Sequence, residues 1–281
     1  QNYNHPSVCF WGLWNEVRAW SNKNAPPVKL AEQLQTLAKQ LDPNRITVSA
    51  SDRKMESLMS RISDLQSFNK YYGWYYGENK DLGVWLDKTH IKYPKVPLSV
   101  SEYGVGGNID HQEKDKLQKP SGAYFPEQIQ TEYHQETWKI IKDRPFVWGS
   151  FIWNMFDFSV AGWNRGGIPN LNHKGLVTFD RKTKKDAFYF YKANWSDEPV
   201  LHIAERRNKK RKNSKVKVKV FTNLPKVSLW VNGKKVATKK IDSDIHIVEF
   251  ENIILKEGKN KIKVLDSTKK LNDFVEWFFE K

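Results

Sequence analysis

The stretch VCFWGLWNE, residues 8–16, decides the fold. Its first seven residues form one apolar run, too short for a helix and not alternating with polar residues. Such a run reads as a strand buried on both faces of a parallel sheet. It does not end in an ordinary turn. It ends in Asn15-Glu16, a charge at the rim of a buried segment. A rim carboxylate either closes an ion pair or does chemistry, and one residue alone leaves both readings open.

Working outward, VKLAEQLQTLAKQLD (28–42) spaces Leu30, Leu34, Leu37, Ala38 and Leu41 for a helix that stops at Asp42-Pro43. ITVSA (46–50), LQSFNKYY (65–72), PLSVSEYG (97–104) and FVWGSFIWNMFD (146–157) read as further strands. LGVWLDKTHIKY (82–93), PEQIQTEYHQETWKIIKD (126–143) and KDAFYFYKANW (185–195) read as helices, with Pro126 opening the second. About five apolar strands alternating with helices predict an α/β fold around a parallel sheet. That sheet is either open and doubly wound or part of an eight-stranded barrel. No G-x-G-x-x-G follows the first strand, which weakens the nucleotide-binding form.

From about residue 200 the texture changes. VKVKVF (216–221), VSLWVNGKKVATKKI (227–241), HIVEFENIIL (246–255), NKIKVLD (260–266) and DFVEWFFE (273–280) alternate apolar and polar residues. Asn232-Gly233 is a hairpin signal between two of them. These predict a small all-β sandwich, with the boundary near Ser196–Pro199 and domains of 1–196 and 197–281.

Composition narrows the function classes. The chain has 281 residues, 14% aromatic, with 12 Trp. Flat rings serve cores and also line carbohydrate sites. Cys9 is the single cysteine, so no intrachain disulfide framework exists. No apolar run approaches the ~18 residues of a membrane span. The segment QNYNHPSVCF has neither an initiating Met nor a leader pattern and reads like the interior of a longer protein.

The formal net charge is +15, unevenly spread: 26 Lys and Arg face 20 Asp and Glu over 1–195, against 21 and 12 over 196–281. The run RRNKKRKNSKVKVK (206–219) contains no aromatic before Phe221, unlike a nucleic-acid reader. It fits a lysine-blunted strand edge and hairpin, or a contact for an anionic polysaccharide. The seven His do not cluster at metal-ligand spacing.

A second predicted strand also ends in a carboxylate, Glu102 after PLSVS, followed by Tyr103. Functional groups of a parallel barrel sit at the carboxyl ends of its strands, and glycoside hydrolysis needs two carboxyl groups across one bond.

The motifs NHPSVCFWGLWNE (4–16), VSEYG (100–104) and FVWGSFIWNMFDF (146–158) resemble strands four, seven and eight of the catalytic barrel of glycoside hydrolase family 2. GLVTFDRKTKKDAFYFYKANW (175–195) is similar to the segment after that barrel. The resemblance implies an incomplete (β/α)8 TIM barrel, about strands four to eight, followed by an immunoglobulin-like sandwich. It also implies a retaining mechanism, with Glu16 as acid/base and Glu102 as nucleophile. Glu16 must carry a proton to donate, and Glu102 must stay ionised to attack. Sugar contacts are implied for His5, Asn15, Tyr72 (within NKYYGWYYG, 69–77) and Trp153.

Asn172-His173-Lys174 matches the Asn-x-Lys by which family glucuronidases hold a uronate carboxylate, although similar galactosidases carry Asn-Asp-Lys there. The flanking AGWNRGGIP (161–169) puts Trp163 and Arg165 in a loop that His173 would make still more cationic. Either this loop has drifted or it forms a subsite for an anionic sugar.

The expected reaction is hydrolysis of a terminal β-linked galactose. A glucuronic or other acidic sugar is the alternative, and an inactive carbohydrate-binding fragment is the alternative of another class. No cofactor and no metal are expected. The expected partners are a carbohydrate, neutral or anionic in a uronate or sulfate form, and the amino-terminal part of the same protein; nucleic acid and membrane are not expected, and a homo-oligomer is left open. The resemblance implies a periplasmic or secreted enzyme.

Overall fold

Five parallel strands organise the first part of the chain in the computed structural model, which describes residues 2–17, 28–118, 120–242, 244–268 and 270–281. They are β1 (Phe10–Asn15), β2 (Ile46–Ser51), β3 (Leu65–Asn69), β4 (Leu98–Tyr103) and β5 (Val147–Ile152). They pair in chain order, β1-β2-β3-β4-β5, every neighbour parallel. Helices α1 (Val28–Leu41), α2 (Lys80–Lys92) and α3 (Glu127–Lys142) lie between strands in sequence, as parallel crossovers require.

The sheet is strongly curled. Neighbouring strands lie about 4.8 Å apart, so the outer two of five flat strands would be about 19 Å apart. Yet the rings of Phe10 on β1 and Trp148 on β5 have centroids 5.6 Å apart. Only a sheet bent toward closure brings them together.

The predicted strands over 65–72 and 146–157 end early, at Asn69 and Ile152. Beyond Asn69 the backbone turns, with Trp74 N–H donating to the Tyr71 carbonyl at 3.1 Å and Gly73 N–H to that of Tyr76 at 3.0 Å.

By contact density the chain divides into two units, residues 1–105 with 136–154, and 106–135 with 155–281. In the first, Phe68, Leu98 and Val100 of the sheet and Leu82 and Leu86 of α2 are buried, and the Phe68 ring packs edge-on against Trp85 of α2, with centroids 5.3 Å apart. Helix α1 has the predicted apolar spacing, but its row is open: Leu30, Leu37 and Leu41 are 53%, 49% and 69% exposed.

In the second unit, β6 (Phe158–Ser159) and β7 (Leu171–Asn172) form a short antiparallel pair, followed by α4 (Asp186–Trp195). Two sheets then pack face to face. One is β13-β10-β8 and the other β12-β11-β14-β15-β9. Their ranges are β8 (Leu201–Ile203), β9 (Lys210–Arg211), β10 (Lys215–Thr222), β11 (Lys226–Val231), β12 (Lys234–Lys240), β13 (Ile247–Ile254), β14 (Gly258–Asp266) and β15 (Asn272–Phe279). Inward residues of both sheets, among them Val218, Phe250, Leu229, Val264 and Trp277, share one core. Asn232 and Gly233 both take left-handed backbone angles, φ 50° and 81°, at the predicted β11–β12 hairpin.

The basic run is less solvated than a strand edge would be. Arg207 binds Glu127 through both its Nε and Nη2 and reaches Asp186 at 3.1 Å. Arg211 lies over the Trp277 ring, 3.7 Å from its centroid, and pairs with Glu205 at 2.8 Å. Lys210 and Arg211 do form an edge strand, parallel to β15.

Candidate active site

Glu16 and Glu102 follow or close strands of one sheet, and side chains between them fix both. Asn69, the last residue of β3, donates from Nδ2 to Asn15 Oδ1 and to Glu16 Oε1, each at 3.0 Å. Its own Oδ1 accepts from Ser101 Oγ at 2.7 Å, and it stands opposite Glu102 in the β3–β4 register. One amide therefore ties the ends of β1 and β4 together.

Glu16 adopts a left-handed backbone with φ 45°, held by its N–H to the Ala50 carbonyl at 2.9 Å. That conformation costs a non-glycine residue about 1–2 kcal/mol. Such strain persists where surrounding contacts dictate the direction of a side chain.

The hydroxyl of Tyr71 donates to Glu102 Oε2 at 2.6 Å. Burial raises the Tyr71 pKa, and the Glu102 charge raises it further, so the phenol keeps its proton and remains a donor. The tyrosine bonded to Glu102 is thus Tyr71 and not Tyr72, the one expected near the nucleophile. Tyr71 is 8% exposed and faces Glu102, whereas Tyr72 stacks edge-on against Tyr76, with centroids 4.8 Å apart.

Trp153 follows β5, and its N–H donates to the Tyr103 carbonyl, next to Glu102, at 2.9 Å; its peptide bond to Asn154 is cis. His5 lies in an exposed loop, where its carbonyl accepts from Arg45 Nη2 at 3.2 Å and from the Val8 N–H at 3.1 Å. Its ring has no hydrogen-bond partner among the described residues.

The remaining predicted sugar contacts belong to the second unit. Asn172 and Lys174 are 6% and 5% exposed, and Asn172 Oδ1 accepts from the Lys174 N–H at 3.0 Å. Trp163 and Arg165 pair with each other, the guanidinium carbon 4.4 Å from the ring centroid.

His173 does not make this loop cationic. It is 3% exposed, and burial, followed by the Lys185 charge, pushes its pKa down to about 4. Its carbonyl and that of Gly107 accept from Lys185 Nζ, at 3.1 and 2.6 Å. Asp157 Oδ1 completes the set at 2.8 Å. Burial lowers the Lys185 pKa and raises that of Asp157, and these acceptors offset the cost of holding the ammonium there.

His134, on α3, behaves like His173. Burial and Lys185 take its pKa down to about 3. Both rings are neutral when folded, whereas an unfolded histidine takes a proton near pH 6.5. Acid therefore favours the unfolded chain. This contribution is intact above pH 6.5 and is lost as the pH falls toward the folded values of about 4 and 3. Between pH 7 and 5 the loss comes to about 2 kcal/mol per histidine. Urea midpoints at the two pH values measure it, and His173→Gln flattens the dependence by about half; a midpoint equal at both would contradict the assignment.

A family model described as glycosyl hydrolases family 2, TIM barrel domain, matches residues 1–197. The chain belongs to glycosyl hydrolase family 2. A second model, described as a domain of unknown function, matches residues 213–271 of this family 2 chain. A beta-glucuronidase from Bacteroides fragilis is 46% identical over 273 residues, 96% of this chain and 38% of the relative. The solved structure of an FMN-binding beta-glucuronidase from Facaelibacterium prausnitzii L2-6 aligns with a TM-score of 0.90 and 38% identity, over 100% of this chain and 42% of that one. A beta-galactosidase from Bacteroides ovatus is 23% identical, over 88% of this chain and 34% of the relative. The chain thus spans about two fifths of the length of the relatives it matches.

Proposed function

We propose that the protein containing this chain is a retaining exo-β-glucuronidase. Glu102 attacks the anomeric carbon while Glu16 protonates the leaving oxygen; Glu16 then activates the water that hydrolyses the glycosyl ester. This chemistry needs two carboxyl groups and water. Tyr71 and Asn69 are the supporting donors, and Asn15 offers its Nδ2 to the sugar 2-hydroxyl.

The observation that carries the sugar is Lys174. A cationic side chain kept 5% exposed beside Asn172 is suited to a carboxylate and is wasted on a neutral hydroxymethyl group. The relatives' names lean the same way: those at 46% and 38% identity are named glucuronidases, while the galactosidase name stands at 23% and, for a solved structure from Bacteroides fragilis described as a putative beta-galactosidase, at 39%. Galactose, the first expectation, is therefore the weaker choice. Nitrophenyl β-glucuronide, β-galactoside and β-mannoside offered to the full-length protein test this directly. Faster turnover of the galactoside than the glucuronide would refute it.

Residues 1–196 are read as the last five strand–helix units of the barrel and 197–281 as an immunoglobulin-like domain. The open leucine row of α1 and the edge of β1, which pairs with no further strand among the described residues, are then surfaces for preceding barrel units. Residues 1–281 expressed alone are expected to self-associate and to hydrolyse no glucuronide. Full activity from a monomeric 281-residue chain would show this account of the barrel to be wrong.

Tyr71→Phe removes one hydrogen bond to a charged group, about 1.5–3 kcal/mol, or roughly 10- to 150-fold in kcat. Tyr72→Phe is the control and changes kcat little. The reverse order in steady-state assays would restore Tyr72 to the site.

A further inference from the structure

The five-stranded sheet of the sandwich turns one face to the core and the other to solvent, and the outward face has an ordered composition. Across the strands, Lys235 on β12 stands opposite Trp230 on β11, Trp230 opposite Lys263 on β14, and Lys263 opposite Phe274 on β15. Residues in register on one face of a sheet are side-by-side neighbours, so these form one continuous row. Next to it runs Lys261 opposite Glu276, and beyond that Lys259, Phe278 and Lys210 on β9.

Phe274 and Phe278 are 50% and 41% exposed, large values for rings in regular strands. The intervening residues Val275 and Trp277 point into the core, so the alternation is intact and the exposed rings are not a register error. The three rows hold five lysines and one carboxylate. Lys259 pairs with Glu276 at 2.8 Å, and Lys261 lies 4.8 Å from the centroid of the Phe274 ring. Lys210, Lys235 and Lys263 have no carboxylate partner among the described residues.

We propose that this sheet face is an accessory binding surface for an anionic polysaccharide, one carrying uronate or sulfate groups. The rings of Trp230 and Phe274 sit two strand spacings apart, about 10 Å, a span that a disaccharide bridges. Phe274 offers an exposed apolar face to a sugar and the partly buried Trp230 a smaller one, and the lysines between them meet its acid groups. At the β9 edge, Lys210 also lines a cavity of about 1000 Å³ of mixed charge, where Lys209 and Lys212 stand among Glu113, Asp115 and Glu280.

Charge complementarity selects a polyanion, and the shape selects among polyanions. A flat sheet face has no groove to track a single nucleic-acid strand and no protruding element to enter a duplex groove. A saccharide chain can lie along it. The proposal stands on the sheet alone and does not depend on the glucuronidase reading.

The test uses the full-length protein carrying Glu102→Gln, which prevents turnover, titrated calorimetrically with chondroitin sulfate oligosaccharides. Phe274→Ala combined with Phe278→Ala weakens binding roughly ten-fold or more. Lys261→Ala combined with Lys263→Ala weakens it comparably and makes its salt dependence shallower. Placed in the parent enzyme, the same substitutions leave nitrophenyl glucuronide hydrolysis and the unfolding midpoint unchanged. Equal binding by the aromatic variant and the parent would overturn the proposal, as would equal binding of uncharged dextran or binding of duplex DNA alone. The glucuronide assay is read separately, so a protein that binds the polymer but cleaves no glucuronide refutes the proposed activity and leaves this surface standing.

Discussion

Glu102→Gln is expected to lower kcat on nitrophenyl glucuronide by at least about 10⁴-fold. The amide is nearly the same size, and its oxygen still accepts from the Tyr71 hydroxyl that now sits 2.6 Å from Oε2. The fold is therefore kept and only the nucleophile is lost. Glu16→Gln has a different signature. Nitrophenolate leaves without a proton, so the first displacement is largely spared, and the loss concentrates on substrates with poor leaving groups and on the water step. Steady-state and burst kinetics separate the two variants. A Glu102→Gln enzyme within ten-fold of the parent would remove Glu102 from the mechanism.

Lys174→Met is expected to separate the sugars. Methionine keeps the length and the apolar stem but carries no charge. Removing one partner of a buried charged pair costs about 2–5 kcal/mol, so kcat/KM for the glucuronide falls between roughly 30-fold and several thousand-fold. The slow reaction with nitrophenyl galactoside, whose sugar has no carboxylate, stays within about three-fold. An equal loss on both substrates would show that Lys174 only supports the loop around Asn172.

Much of this was legible in the sequence because buried parallel strands leave long apolar runs. The run before Glu16 and the run before Glu102 gave both the sheet and its two rim carboxylates. What was not legible depended on turns and on burial. NKYYGWYYG offers four tyrosines, and β3 stops at Asn69. Past that point strict alternation no longer tells which ring reaches Glu102, and Tyr71 makes that contact. Asn69 itself was missed, although β3, like β1, ends in a polar residue, and that was the available signal.

His173 looked cationic from its neighbours Lys174 and Arg165. Its charge is set instead by enclosure, which sequence spacing does not reveal. The basic run misled in the same way: Arg207 and Arg211 are drawn inward by Glu127 and the Trp277 ring, both distant in sequence, with Glu205 close by in sequence holding Arg211 as well. Helix α1 shows the converse. Its periodicity identifies the apolar face but not what covers it.

The most direct test of the central claim is to trap the covalent intermediate. A 2-deoxy-2-fluoro-glucuronosyl fluoride slows both displacement steps but leaves with an activated group, so the glycosyl ester accumulates on the nucleophile. Peptide mapping of the inactivated full-length protein is predicted to find one sugar on the peptide containing VSEYG, at Glu102. A label on Glu16, or no label while nitrophenyl glucuronide is still turned over, would contradict the account.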